Sequence, residues 1–437
     1  ANGQATDFAR EYMLEVMAEE DMQFKPEYIK IQPMRRTFHA TYAVYDPART
    51  TNEATSSRTG KVVFSWINNR LIFWETGGYF WKPDELIDDI FRTDEVYNPV
   101  AIGVEQDGLH EFIMQPLRAQ QITRGRPVPI RALKAPKGKH GFIRGLQPFF
   151  KAGEVILVQD LLKHMSIEEA RAAHGTMIEE LLTFPTGRMD TINAAAYATI
   201  MRPGLPVFDN FNSDHIVTTT HRPFQPTYLA VNSTNTHTCL VVTQIYNGQL
   251  HVLNDWVVDG DAGTMLKDLI QQVSLIMPAK PVYGNLLSDI QKTKQALQAA
   301  KAFAPPDHFK KHDTIGLQAA ALHIPLQLFE GGSVQAGREQ LRKMLSELSH
   351  GAQSVHISPS ATWTLRALSG GYAREISLDG RPDEEPTFNV YSVLMAGLCS
   401  LLANTVNHSS IDNERHYAQT STGQRFLTSR PHIRTRQ

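Results

Sequence analysis

Twice along this chain an apolar, strand-length segment runs into a polar loop and then into a tight hairpin, and that repeated string limits the fold more than any other feature. In the first string Thr41–Tyr45 reads as a strand and a polar loop follows through Arg58. Lys61–Ile67 reads as a second strand, and Asn68-Asn69 turns it into a third, Leu71–Thr76. An amphipathic helix over Asp84–Phe91, with Leu86, Ile87 and Ile90 on one side, and a short strand over Val100–Val104 complete a β-β-β-α-β order. The second string repeats it: Tyr228–Val231, the loop Asn232–Thr236, Cys239–Tyr246, the turn Asn247-Gly248 and Leu250–Val258. A helix over Thr264–Val273 and a strand near Pro281–Tyr283 follow. A shared order with weak identity predicts an α/β chain of two tandem domains of one fold. The residues alone leave the alternative open, because any α/β protein yields such strings.

Between and around the strings the chain is less regular. A short helix is expected within residues 5–24, a long one over Ile167–Leu182, and a small-residue one over Thr191–Met201, just after Asp190. Residues 203–226 are rich in Pro, Asn, Asp and Thr and read as a linker. The stretch after Asn404 carries Arg415, Arg425, Arg430, Arg434 and Arg436 without apolar periodicity and reads as a basic, mobile end. The expected boundaries are therefore 41–202 for the first domain, 227–405 for the second and 406–437 for the tail.

Composition removes several classes of function. No apolar run approaches the ~18 residues of a membrane span, and the N-terminal residues lack the pattern of a secretory signal. Cys239 and Cys399 are too few for a disulfide framework or a cysteine-based zinc site, which points to the cell interior. With 43 Lys+Arg against 45 Asp+Glu, bulk charge cannot hold nucleic acid. Charge is uneven, however: from Glu111 to Lys151 one acid faces nine bases, so a local contact with phosphates is open, as is a solvated basic face.

Three carboxylates stand out by position. Asp46 closes an apolar strand, Glu105 closes another in "AIGVEQDG", and Asp190 precedes a helix in "FPTGRMDTINAAAYA". Carboxylates at the ends of buried strands are costly unless paired, and a divalent cation such as magnesium or manganese is a natural partner for hard oxygens. Two such ions can clamp the attacking and leaving oxygens of a phosphodiester. Spacing alone leaves simpler roles open: a turn cap for Asp46, an arginine partner for Glu105, a helix N-cap for Asp190.

The segments "YAVYDPART", "NPVAIGVEQDGLHEFIMQPLR", "GKHGFIRGLQPFFKAGEVIL" and "FPTGRMDTINAAAYA" together resemble the nuclease part of tailed-bacteriophage large terminase subunits, over about residues 1–202. The resemblance implies a ribonuclease H-like mixed sheet flanked by helices, with residues 1–40 as the end of an ATPase region and a linker. It implies a metal-dependent endonuclease that cuts concatemeric double-stranded DNA at the start and end of genome packaging in the host-cell cytoplasm. Asp46, Glu105 and Asp190 would hold two Mg2+ or Mn2+ ions, and Asn193 stands where some members of the family carry a further acid. Lys137, Lys139 and Arg144 would face the DNA backbone, and the portal and small terminase subunit would be partners. No G-x-x-x-x-G-K-[ST] phosphate loop occurs in these residues, so packaging motor activity is not expected of this chain by itself.

The second string resembles the same nuclease more faintly and without its acids. Asn232 stands in the first acidic place, Gly284 and Asn285 are expected in the second, and Pro386 and Asn389 in the last. Amides are poor ligands for hard ions, so this half is expected to hold no catalytic metal. The competing readings for the whole chain are another ribonuclease H-like nuclease, such as a junction resolvase, and a noncatalytic docking module of a packaging complex.

Overall fold

The strand β2 (Thr41–Asp46) buries all six of its side chains, which requires cover on both faces of the sheet that contains it. The computed structural model describes residues 22–36, 39–48, 57–106, 113–134, 137–222, 225, 227–234, 237–259, 301–304, 326–328, 333–349, 351–376 and 381–420. In it, β3 (Thr59–Ile67) and β4 (Arg70–Tyr79) form an antiparallel meander with β2. Beyond β2 lie β5 (Ala101–Glu105) and β6 (Ile130–Leu133), both running parallel to it. Beyond β4 lie β7 (Val155–Asp160) and the edge strand β1 (Ile31–Met34), both parallel to β4. This seven-stranded mixed sheet has the α/β, ribonuclease H-like architecture that the resemblance implied.

Helix α1 (Pro83–Tyr97) covers one face, packing Leu86, Ile87, Ile90 and Phe91 onto Ala43, Tyr45, Val63 and Ile72. The helix α2 (Gln115–Arg124) adds Leu117 to the same layer. On the other face Val44, Val62 and Phe64 meet a different set of helices. These are α3 (Lys139–Arg144), α4 (Gln147–Ala152), α5 (Ile167–Ala173), α6 (Gly175–Thr183) and α7 (Asp190–Ala196). The single helix expected over Ile167–Leu182 is broken at His174. Its buried ring reaches Thr76 Oγ1 at 2.8 Å and the Val158 carbonyl at 3.1 Å, contacts that tie the break to the sheet. The helix expected over Thr191–Met201 begins one residue earlier and tightens to a 3-10 turn at Tyr197–Thr199.

The expected linker is packed. In it β8 (Leu205–Pro206) pairs with a strand far downstream, Val207 and Phe208 are buried, and buried His215 is bonded through Nε2 to the Leu345 carbonyl at 3.1 Å. The second sheet is built on β9 (Thr227–Ser233), β10 (His237–Tyr246) and β11 (Gln249–Asp259), again an antiparallel meander. The strands β12 (Lys301–Ala304) and β13 (Leu326–Leu328) run parallel beyond β9. After α8 (Ser333–Ser346) and the small pair β14 (Leu348–Ser349) and β15 (Ala352–Gln353), β16 (Val355–Ile357) runs parallel to β11. Then come α9 (Thr362–Arg366), β17 (Ala373–Arg374), which is the partner of β8, and α10 (Val390–Thr420). Helix α10 continues into the stretch expected to be a mobile end. The expected helix Thr264–Val273 and strand near Pro281–Tyr283 lie outside the described residues; the strand paired with β9 is Lys301–Ala304.

The two sheets share strand order, strand sense and register. Each meander turns through two left-handed residues, Asn68 (φ 49°) and Asn69 (φ 63°) in one, Asn247 (φ 53°) and Gly248 (φ 70°) in the other. Each carries a bulge at the same step, after Val63 in β3 and after Val242 in β10, leaving Trp74 and Leu253 as the extra residues. The flanking parallel strand joins each sheet alike: the Leu71 N–H donates to the Glu154 carbonyl and the Leu250 N–H to the Ser354 carbonyl, both at 2.8 Å.

The sheets are also joined to each other. Arg366 of α9, 2% exposed, forms an ion pair with Asp94 of α1, also 2% exposed. Arg126 reaches the second oxygen of Asp94 at 3.0 Å, and the Tyr391 hydroxyl donates to the Val100 carbonyl at 2.5 Å. Among the described residues no helix is long and apolar enough to cross a membrane.

Candidate active site

Parallel pairing of β2 with β5 sets Tyr45 beside Val104, so the next residues along, Asp46 and Glu105, leave the sheet side by side. The third carboxylate arrives on α7. Gly60 of β3, the residue paired with Asp46, lets that helix approach: a Cβ there would stand 2.1 Å from the Asp190 carbonyl oxygen. Three separate elements thus deliver Asp46, Glu105 and Asp190 to one end of the sheet.

The side chains between them belong to α7 and α3. Asn193 Nδ2 donates to Asp46 Oδ2 at 2.8 Å and to Glu105 Oε2 at 3.2 Å, while its Oδ1 is buried without a hydrogen-bond partner. Lys139 Nζ lies 3.6 Å from Asp46 Oδ2 and 3.9 Å from Asp190 Oδ1. The other oxygen of Asp190 accepts the Arg58 backbone N–H at 2.9 Å. Asp46 is therefore the hub, tied to Glu105 through an amide and to Asp190 through an ammonium. Burial, reinforced by the Glu105 and Asp190 charges and opposed by Lys139 and Asn193, pushes the Asp46 carboxyl up to about 7.

Among the sequence-expected residues, Asp46, Glu105, Asp190, Asn193 and Lys139 come together. Lys137 is exposed two residues before Lys139, and Arg144 ends α3 with its Nε donating to Gln23 Oε1 at 3.0 Å. Two residues emerge only in the structure. The Tyr197 hydroxyl donates to Glu105 Oε2 at 2.5 Å and also lies 3.0 Å from the Lys134 carbonyl. Glu180, 1% exposed, accepts the Ile192 N–H at 3.0 Å; burial pushes its carboxyl up to about 7. Ordinary helix and small-residue patterns surround both in the sequence, so nothing there separates them from structural residues.

The donor chemistry fits a hard divalent cation: three carboxylates lie at one end of the sheet, two of them bridged by the Asn193 amide and two by the Lys139 ammonium. As the side chains stand, no three His, Cys, Asp or Glu groups among the described residues are set to enclose an ion. The Asn193 amide nitrogen and the Lys139 ammonium lie between the acids instead.

In the second sheet the matching register carries other residues. Asn232 takes the place of Asp46, and its Nδ2 donates to the Val393 carbonyl of α10 at 2.8 Å. Cys239 takes the place of Gly60 and faces the Val390 carbonyl as Gly60 faces that of Asp190. Val390 thus stands where the last acid was expected. Asn389, one residue earlier, caps α10 by accepting the Tyr391 and Ser392 N–H groups at 2.9 and 3.0 Å. Gly284 and Asn285 lie outside the described residues; the strand beside β9 ends at Ala304, which Pro305 follows in the sequence.

No protein-family model and no curated protein matches the chain. Among solved structures its neighbours are large terminase proteins and their nuclease domains. The large terminase of a thermophilic bacteriophage is 11% identical with a TM-score of 0.34, covering 79% of this chain and 77% of its own. The human cytomegalovirus terminase nuclease domain is 15% identical, TM-score 0.28, over 37% of this chain and 83% of its own. The nuclease domain of the bacteriophage SPP1 large terminase, solved with bound Mn, is 11% identical, TM-score 0.31, over 45% and 96%. At these scores the fold is defined by this chain's own strand order and pairing.

Proposed function

We propose that the first sheet is a divalent-metal-dependent endodeoxyribonuclease acting on double-stranded DNA during viral genome packaging. The observation that carries this reading is the meeting of Asp46 and Glu105, from β2 and β5, on the amide of Asn193, with Asp190 of α7 joined to Asp46 through Lys139. Asp46, Glu105 and Asp190 would hold one or two Mg2+ or Mn2+ ions, which when bound supply an activated water and charge neutralisation at the phosphodiester. Tyr197 holds Glu105 in place, and the Arg58 backbone N–H fixes one oxygen of Asp190. Lys139, already among the acids, gives a cation to the incoming phosphate, with Lys137 exposed beside it. The partners that go with this reading are duplex DNA and, by the sequence resemblance, a portal and a small terminase subunit in the host-cell cytoplasm.

The second sheet is read as a duplicate of the first that has lost its site and serves assembly or DNA holding. The common bulge position and hairpin support duplication; Asn232 and Val390 in the acidic places support loss.

Plasmid cleavage in manganese tests the nuclease reading. Asp46→Ala, Glu105→Ala and Asp190→Ala are each expected to lower the rate at least about a hundredfold, the loss of several kcal/mol of charge stabilisation. Full activity in EDTA, or in two of the three variants, overturns it. Absence of cleavage by the wild type with manganese supports a docking module instead.

A further inference from the structure

Two arginines outside the basic stretch flank Asp190 and share one aromatic support. The Arg58 guanidinium lies 5.7 Å from the ring centre of Phe80, and that of Arg188 lies 5.5 Å from the same ring. Phe80 follows β4 on the sheet end that carries the acids. Arg58 is tied there from below: its backbone N–H donates to Asp190 Oδ2, and its side chain crosses Gly78, where a Cβ would stand 2.9 Å from Arg58 Cδ. Arg188 is exposed and only two residues before Asp190. Among the described residues neither guanidinium has a carboxylate within ion-pair distance, unlike Arg92, Arg124 and Arg126 of the same domain.

We infer that Arg58 and Arg188, held on Phe80, form a binding site for backbone phosphates of duplex DNA on the flank of Asp190 away from Lys139. This rests on the nuclease reading and adds residues to it. The two oxygens of Asp190 divide the approaches: Oδ1 faces Lys139 and Oδ2 faces the backbone of Arg58. A phosphodiester seated over the acids would therefore have Lys139 on one side and the paired guanidinium groups on the other. Cation–π stacking leaves the planar N–H edges of both arginines open to phosphate oxygens, the geometry in which arginine binds them best. Two cations on one ring repel each other, and a shared anion relieves that repulsion.

The test is binding of a short duplex in calcium, measured over a salt series with wild type, Arg58→Gln/Arg188→Gln and Arg58→Lys/Arg188→Lys. Loss of two phosphate contacts should weaken binding about tenfold or more at 0.1 M salt and flatten the slope of log K against log salt by about 1.8. The lysine pair should keep the wild-type slope, and both pairs should melt with the wild type. A glutamine pair with unchanged affinity and slope overturns the inference. So does a lysine pair that loses slope together with melting temperature, since the arginines would then be structural. A wild type that neither binds nor cuts duplex DNA is a different failure, that of the nuclease reading itself.

Discussion

Glu105 depends on a residue 92 positions away. Its Oε2 receives the Tyr197 hydroxyl and the Asn193 amide together, so its orientation is set by α7 and the turn that follows it. Tyr197→Phe removes the shorter of these bonds without changing the ring's packing on Phe142. Cleavage is expected to fall roughly tenfold, as for other groups that orient a ligand. Stability should fall by only about 1 kcal/mol, which chemical denaturation would measure. Asp255 offers a separate check at this scale. It is 4% exposed and accepts the Trp363 and Thr364 N–H groups that open α9; burial pushes its carboxyl up to about 6. In the unfolded chain it titrates near ~3.9, so between those values the folded state holds a proton that the unfolded state releases. Its contribution is fully present below about pH 4 and is lost as pH rises through about 6, on the order of 3 kcal/mol. Asp255→Asn should abolish that fall in a stability curve from about pH 4 to about pH 7. The three acids were legible because each ends or precedes an apolar element. Tyr197, Glu180 and Arg58 were not, because their significance lies in contacts between distant segments.

At the scale of elements, the position of α7 is controlled by Gly60. Gly60→Ala would drive a methyl group into the Asp190 carbonyl, and backbone cannot yield as a side-chain tip does. The variant should lose about 1–3 kcal/mol of stability and most of its cleavage rate, because the helix that carries Asp190 must shift. A variant that melts and cleaves like the wild type would show that α7 stands clear of β3. The hairpins were readable: Asn68-Asn69 and Asn247-Gly248 are residues that tolerate a left-handed backbone, and both turns lie where the sequence put them. Two of the elements not expected from the sequence are short and edge-placed. Strand β1 contains Pro33, which an edge tolerates, and β6 exposes Arg131 and Ala132. Four-residue strands of mixed polarity give too few positions for a period of two to register. The break in the expected helix falls at His174, before Gly175, and the ring there is held by Thr76, 98 residues away.

At the scale of the whole molecule, the described residues of the two sheets share a hydrophobic cluster, a hydrogen bond and a buried pair of charges, and their dependence on that pair differs. Asp94 has Arg126, from its own side, as a second cation. Among the described residues Arg366 has Asp94 as its one ion-pair partner, and its Nε is buried without a hydrogen bond. Replacing Asp94 by Leu strands Arg366 and should cost about 3–5 kcal/mol. Replacing Arg366 by Leu leaves Asp94 with Arg126 and should cost clearly less. Equal losses in chemical denaturation would mean that Arg126 gives Asp94 no real compensation.

That inequality makes the two sides of the contact unequal when they part. Cut away from its companion, the half bearing Asp46, Glu105 and Asp190 keeps a neutralised Asp94 and a freed Val100 carbonyl that water can reach. The other half would present Arg366 without its ion-pair partner, still over the Trp363 ring, and a tyrosine hydroxyl that has lost its acceptor. At this contact a cut between the halves therefore removes the one ion-pair partner of Arg366 among the described residues, while Asp94 keeps Arg126. Through this contact the half without Asp46, Glu105 and Asp190 leans harder on its neighbour than its neighbour leans on it.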